Sequence, residues 1–333
     1  LNENKEKFEN YLILFSNKEN LKNRLDKKIN VKIFDLTNPI TFFFNFFKLI
    51  SFLKKSKPDL VFTWLYHANL LSIFIKIFSS KLKIYWNIRH SKIDKFNSIK
   101  SFFSFKMCQV FSSIIPKKII YNSRFAKKVH EIAGYNKKNS LVIFNGVKKN
   151  KIIPNRKSKK IFFGMASRWH KDKNHENLFQ SLNRLQNIDY SLVLCGKSVN
   201  ASNMKLLKLL KKYNIKKYYL LGELTNIDKY FNRIDINLLT SNTESFPNII
   251  LESMSYGIPT VATDVGDVKK IINDSGYVVK PNSPKSFSEA LKKLVLEKKN
   301  KPKLWFLRRK KCHHLSRKNF DLNQTIYRFN KLA

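Results

Sequence analysis

Apolar residues in this chain fall into short runs separated by stretches of helical period. In the first half the runs are "YLILF" (11–15), "VKIFD" (31–35), "DLVFTW" (59–64), "KIYWNI" (83–88), "KKIIYN" (117–122) and "LVIFN" (141–145). Such runs, bounded by polar stretches, read as strands buried on both faces. Helical patterns lie between them, for example Ser123 to Ala133, which Gly134 would stop. Strand and helix in alternation predict a parallel sheet covered on both faces. The charged, proline-containing "VKKNKIIPNRKSKK" (147–160) interrupts the pattern and reads as a domain boundary. A second series follows: "KIFFGMA" (160–166), "YSLVLCG" (190–196), "KYYLLG" (217–222), "IDINLLT" (234–240), "PTVAT" (259–263) and "GYVVK" (276–280). Ser283 and Pro284 then open a further helix as N-cap and first helical residue. The expected architecture is α/β, two doubly wound sheets facing across a cleft, with ligands at the carboxyl ends of the strands.

One apolar stretch, "ITFFFNFFKLISFL" (40–53), is broken by Asn45 and Lys48 and is too short to span a bilayer. As a helix it would set Phe43, Phe46, Phe47, Ile50 and Leu53 on one face toward the core. Phe42, Phe44 and Phe52 leave the rest of its surface partly apolar, so shallow insertion into a membrane surface is the competing reading. Composition bears on the same choice. The chain of 333 residues has 65 Lys+Arg against 23 Asp+Glu, a net charge of +42, which implies a polyanionic neighbour or substrate or a general drift toward lysine. Three dispersed cysteines, without a C-x-x-C pair, argue for a reducing compartment and against a structural zinc. Cys312-His313-His314 lacks a second ligand pair, so no metal site is expected there.

The chemistry concentrates in "SNTESFPNIILESMSYGIPTVATDVG" (241–266), where seven residues separate Glu244 from Glu252. Glu244 falls in the loop after a strand. Pro247 suits a first helical turn, and Gly257 and Pro259 end the helix that carries Glu252. Free N–H groups around Asn248 to Ile250 would attract an anion such as a diphosphate. The loop carboxylate can hold sugar hydroxyls and the helical one a ribose; two solvated glutamates at a helix start are the plain alternative.

These residues resemble the signature of the family 4 glycosyltransferases, retaining enzymes of the GT-B fold. "FFGMASRWHKDKNHENLFQSL", "SLVLCGK", "DSGYVVKPNSPKSFSEAL" and "VIFNGV" follow in the family's order. The resemblance implies that Arg168 and Lys173 neutralise the leaving nucleoside diphosphate, that Glu244, Phe246, Asn248, Ile249 and Glu252 line the donor site, and that His90 stands near the reacting sugar. It further implies no cofactor and no metal, consistent with the lack of a D-x-D pair, and a UDP- or GDP-sugar as donor. Residues 1–150 are then the acceptor-side domain, 151–305 the donor domain, and 306–333 a helical segment packing back on the first. Members usually begin with a strand and a Gly-rich loop, whereas the first glycine here is Gly134, so the expectation is either an amino-terminal truncation or a divergent member lacking that loop.

The expected function is transfer of a sugar to a glycan or lipid-linked acceptor for cell-surface polysaccharide or lipopolysaccharide. The expected place is the cytoplasm, at the anionic inner face of the membrane, without a specific nucleic-acid partner. The alternatives are a basic polyanion-binding protein with a decayed site and a GT-B sugar-nucleotide epimerase.

Overall fold

Each apolar run contains a strand in the computed structural model, which describes residues 8–16, 29–91, 93, 99–155, 158 and 160–332. The first half comprises β1 (Tyr11–Leu14), β2 (Asn30–Ile33), α1 (Phe42–Ser56), β3 (Leu60–Trp64), α2 (Tyr66–Phe78), β4 (Lys83–Ile88), α3 (Ile99–Phe111), β5 (Lys118–Tyr121), α4 (Arg124–Ile132) and β6 (Ser140–Val142). Strands β3 to β6 are parallel neighbours in chain order, while β1 and β2 pair with each other in a separate sheet. The single sheet expected for this half is therefore divided among the described residues. Apolar runs specify that a strand forms; its partner is chosen by packing against residues distant in sequence. Helix α4 begins where the Ser123 hydroxyl accepts from the Ala126 N–H at 2.8 Å, and Gly134 follows its end with φ +100°.

Helix α1 corrects one assignment. Its buried side chains are Phe46, Leu49, Ile50 and Leu53, and Phe43 and Phe47 face solvent. Leu49 takes the place those two rings were expected to fill, because the stripe 46, 49, 50, 53 fits a helical face at least as well.

The second half contains β7 (Ile161–Ala166), α5 (His175–Asn183), β8 (Tyr190–Cys195), α6 (Met204–Lys212), β9 (Tyr218–Leu220), α7 (Asp228–Phe231), β10 (Ile236–Leu239), α8 (Asn248–Ser255), β11 (Thr260–Thr263), α9 (Val268–Ile272), β12 (Tyr277–Val279) and α10 (Pro284–Asn300). All six strands are parallel, in the order β12-β11-β10-β7-β8-β9. The winding reverses between β7 and β10, and a crevice opens there at the carboxyl ends of the strands. Phe163, Leu192, Ile236 and Val261 fill the core beneath it, under Leu178 and Leu182 of α5 and Leu291 and Leu294 of α10. Ser283 precedes α10, but its hydroxyl donates to Ser286 Oγ at 2.9 Å and caps no helix N–H.

Two last helices, α11 (Pro302–Asn319) and α12 (Leu322–Asn330), close the chain. Arg309 of α11 is buried and donates from Nε to the Gly257 carbonyl at 2.9 Å. Past it the chain crosses to the first half, where Phe329 stacks edge-on against Phe62 at 5.6 Å and the Tyr85 hydroxyl donates to Leu332 O at 2.8 Å. Arg156, Lys157 and Lys159 of the expected linker lie outside the described residues. Cys312 is buried and donates to Ser275 O, and His313 bonds Asn150 O at 2.9 Å. Among the described residues no three His, Cys, Asp or Glu side chains are grouped as a metal site would need.

Candidate functional site

The backbone after β7 is fixed before any side chain reaches the crevice. Ser167 N donates to Cys195 O and Trp169 N to Lys197 O, both at 2.9 Å. Gly196 makes that approach possible: with φ +138°, a Cβ there would lie 2.1 Å from Ser167 O. The strand extension turns Arg168 outward to solvent and lays Trp169 on His175 at 4.8 Å. A single 3-10 turn, Lys171–Lys173, follows, and the His170 ring accepts from Asp172 N. Asn174, at φ +48°, ends that turn and caps α5 by accepting from Asn177 N at 3.1 Å.

From the other side of the switch point, the Thr240 hydroxyl meets the carbonyls of Lys173 and Asn174 at 3.1 and 3.0 Å. The turn is thus held against the end of β10, and Lys173 Nζ reaches Glu244 Oε1 at 2.5 Å. Ser241 Oγ donates to the same oxygen at 2.7 Å. A cation and a carboxylate 71 residues apart in sequence therefore meet at the mouth of the crevice.

The Glu244 main chain is clasped as well. Gly266 packs against it with φ +59°, and Ser91 of the first half donates to the Glu244 carbonyl at 3.0 Å. Next door, Ser245 Oγ donates to Asn122 Oδ1 at 2.8 Å and lies 2.8 Å from Ser123 Oγ. With its own proton on Asn122, Ser245 accepts from Ser123. The Asp267 carboxylate accepts from the N–H groups of Arg124 and Phe125 at 2.7 and 3.0 Å, so the second half of the chain caps α4 of the first.

Pro247 is the N-cap of α8 rather than a residue of its first turn, and no side chain caps that helix. Ile250 N turns back to Pro247 O, which leaves the N–H groups of Asn248 and Ile249 as the donors an anion would meet. Ile249 is half-buried against the core. Phe246 is buried, stacked on Phe144 at 5.3 Å and edge-on to Phe320 at 5.7 Å, so only its backbone can reach a ligand. Glu252, half-buried on α8, has its carboxyl pKa pushed up by burial, and among the described residues no cation pairs with it.

His90 lies two residues past the end of β4, half-buried, with its ring edge-on to Tyr66 at 4.6 Å. Burial lowers its pKa. Beneath it, His130 is fully buried; Nδ1 lies 2.8 Å from the Ala126 carbonyl and Nε2 2.5 Å from the Tyr66 hydroxyl. The carbonyl can only accept, so Nδ1 carries the proton and Nε2 accepts from tyrosine in a neutral ring. Burial brings the pKa of His130 down to about 4; His175 is also at about 4, through burial and then the Lys173 charge. The unfolded chain titrates its histidines near 6.5, so it binds more protons than the fold between that pH and about 4. Stability is therefore full above about pH 6.5 and is lost as pH falls, by about 2 kcal/mol for each of these two histidines at about pH 5. Urea midpoints at the two pH values check this, and His130→Gln removes part of the difference.

Some polar contacts of the site carry no signal in the motifs. Arg89, half-buried, donates to Asn145 Oδ1, and Asn145 Nδ2 donates to Asn248 Oδ1 at 2.7 Å, a string from β4 to the start of α8. The only hint is position, since Arg89 follows the carboxyl end of β4 as His90 does. Leu65, just past β3, takes φ +75° and ψ 154°, a conformation that costs a non-glycine residue on the order of 1–3 kcal/mol. Beside it Trp64 is exposed, its ring 6.0 Å from that of Phe62.

Residues 147–313 match the family model of the glycosyl transferases group 1. The amylovoran biosynthesis glycosyltransferase AmsD of Erwinia amylovora is 22% identical over 273 residues, 76% of this chain and 72% of that protein. The N-acetylgalactosamine-N,N'-diacetylbacillosaminyl-diphospho-undecaprenol 4-alpha-N-acetylgalactosaminyltransferase of Campylobacter jejuni is 30% identical over 142 residues, 41% of this chain and 38% of that one. Among solved structures, Anabaena HepE in complex with UDP-glucose superposes with a TM-score of 0.81 at 16% identity, covering 97% of this chain and 90% of that one.

Proposed function

The chain belongs to the glycosyl transferases group 1 family and has the GT-B fold, and from that premise we propose that it moves a sugar from a nucleotide-sugar donor to a glycan or lipid-linked acceptor. The reaction retains the anomeric configuration and serves the synthesis of cell-surface polysaccharide or lipopolysaccharide in the cytoplasm. The observation that carries this reading is the Lys173–Glu244 pair at the switch point, next to the uncapped start of α8. Negative charge grows on the departing diphosphate as the sugar leaves. Preorganised positive groups stabilise that charge: Lys173 and the N–H groups of Asn248 and Ile249 are held in place for it, and Arg168, exposed on the strand extension, joins them when the donor binds. Glu252, half-buried and without a cation, holds the ribose hydroxyls; Glu244 holds the hydroxyls of the sugar. His90 faces the acceptor side, tied to the donor loop through its neighbour Ser91.

The three cysteines are free and buried, in keeping with a reducing compartment. Uridine is the favoured base, because HepE has been solved with UDP-glucose. Calorimetric titration with UDP, GDP and ADP is expected to show selective binding of UDP, weakened about tenfold or more by Glu252→Ala through the loss of charged hydrogen bonds. Equal binding of all three, with the steep salt dependence of a general polyanion binder, would refute the reading.

A further inference from the structure

We propose that the outer faces of α1 and α2 form a docking surface for an anionic lipid bilayer, on the acceptor half of the molecule and independent of the donor site. Both helices already bury one apolar stripe, and each exposes a second. On α1, Phe43, Phe44 and Phe47 are 70%, 63% and 56% exposed; on α2, Phe74, Ile77 and Phe78 are exposed at the same three-four spacing. The Phe47 and Phe78 rings lie 6.3 Å apart, so the two stripes are one patch. At about 200 Å² per ring, the α1 phenylalanines alone present on the order of 400 Å², the size of the largest apolar patch on a typical monomer. Helix α3, packed on α2, continues the pattern with exposed Ile99 and Phe103.

Charge selects the occupant. From Ile40 to Ser91 there are seven lysines and Arg89 against the single carboxylate of Asp59. Lys48, Lys54, Lys55 and Lys57 are exposed around the patch, with Lys48 over the Phe44 ring at 4.1 Å. A protein partner that covered the rings would have to neutralise this cationic border, whereas anionic headgroups do so while the rings enter the acyl boundary. No helix among the described residues is long and apolar enough to cross a membrane, so attachment here is by a face rather than a span. Helix α2 begins at Tyr66, whose ring meets His90 edge-on at 4.6 Å, so the helix that carries Phe74, Ile77 and Phe78 starts at the His90 side of the cleft.

The test is flotation of the full chain with vesicles of phosphatidylglycerol and phosphatidylcholine, against phosphatidylcholine alone. Wild type is expected to float with the anionic vesicles. Substituting Phe44→Ser and Phe47→Ser together should lower the partition coefficient about tenfold or more, and Lys54→Glu with Lys55→Glu at least about fivefold per lysine. Both variants alter exposed positions, and an unchanged thermal unfolding midpoint certifies the fold. Equal binding to both vesicle types, equal binding by the variants, or no binding to either would overturn the proposal. So would sedimentation showing a dimer that the phenylalanine variant dissolves, which would assign the face to a second copy. Nucleotide binding, measured separately, stands or falls without this result.

Discussion

Lys173→Ala lowers the rate of sugar transfer by roughly 10²–10³-fold, the cost of removing one preorganised charge stabiliser from a site where charge develops. The geometry makes this residue harder to replace than Arg168. Arg168 is exposed on the strand extension, while Lys173 is held by its own carbonyl to Thr240 and by its ammonium to Glu244. Removing the ammonium leaves the Glu244 carboxylate with the Ser241 hydroxyl and, among the described residues, no cation, which disturbs the sugar subsite proposed at Glu244 as well as the proposed diphosphate site. Stability falls too, because the two side chains are only 22% and 13% exposed and a carboxylate left without its cation costs about 1–3 kcal/mol. Activity is therefore compared well below the lowered thermal midpoint, where the loss of rate exceeds any loss of folded protein. Glu244→Gln keeps the shape and the Ser241 bond, so it lowers kcat while UDP affinity stays near wild type. Since the two side chains act as one unit, the double variant should be hardly worse than the poorer single one. A Lys173→Ala enzyme within a few-fold of wild type would remove Lys173 from the mechanism.

Much of this was readable from residues close together in the chain. Apolar runs located the strands, and Gly134 and Ser123 bounded α4, because element ends depend on local donors, acceptors and backbone freedom. The apolar run that ends in a polar turn put Glu244 in the loop after β10, at the strand's carboxyl end, and there it lies. What the sequence concealed is contact between halves. Ser91 on the Glu244 carbonyl, Asp267 on α4 and the string Arg89–Asn145–Asn248 join residues 56 to 153 positions apart through ordinary polar side chains. Nothing in their local pattern marks them. Phe246 illustrates the converse: in the loop "SFPN" it sits between a serine and a proline, turn residues that suggest exposure, yet Phe144 and Phe320 from distant segments bury it. Helix α1 was ambiguous for a related reason, since a helix apolar nearly all round does not state which stripe its sheet will take.

Gly266→Ala is expected to damage both fold and catalysis. At φ +59° any side chain is strained, by about 1–2 kcal/mol for alanine. Space is the second cost: the new Cβ would lie 2.4 Å from Glu244 O and 2.7 Å from Ser245 O. Both are backbone atoms, so relief requires the donor loop itself to move by about 1 Å, and a misplacement of that size can cost about 10²-fold in rate. The shift would pull the Glu244 carbonyl from Ser91 and its carboxylate from Lys173 together. Gly222 isolates the two costs. It sits at φ +64° with nothing within 4 Å of its Cβ position, so Gly222→Ala carries the strain without the collision. Thermal unfolding should show both variants destabilised, Gly266→Ala more so, while transfer assays show only Gly266→Ala impaired beyond about tenfold. If the two variants matched in activity, the contact between Gly266 and the Glu244 loop would have no part in holding the site.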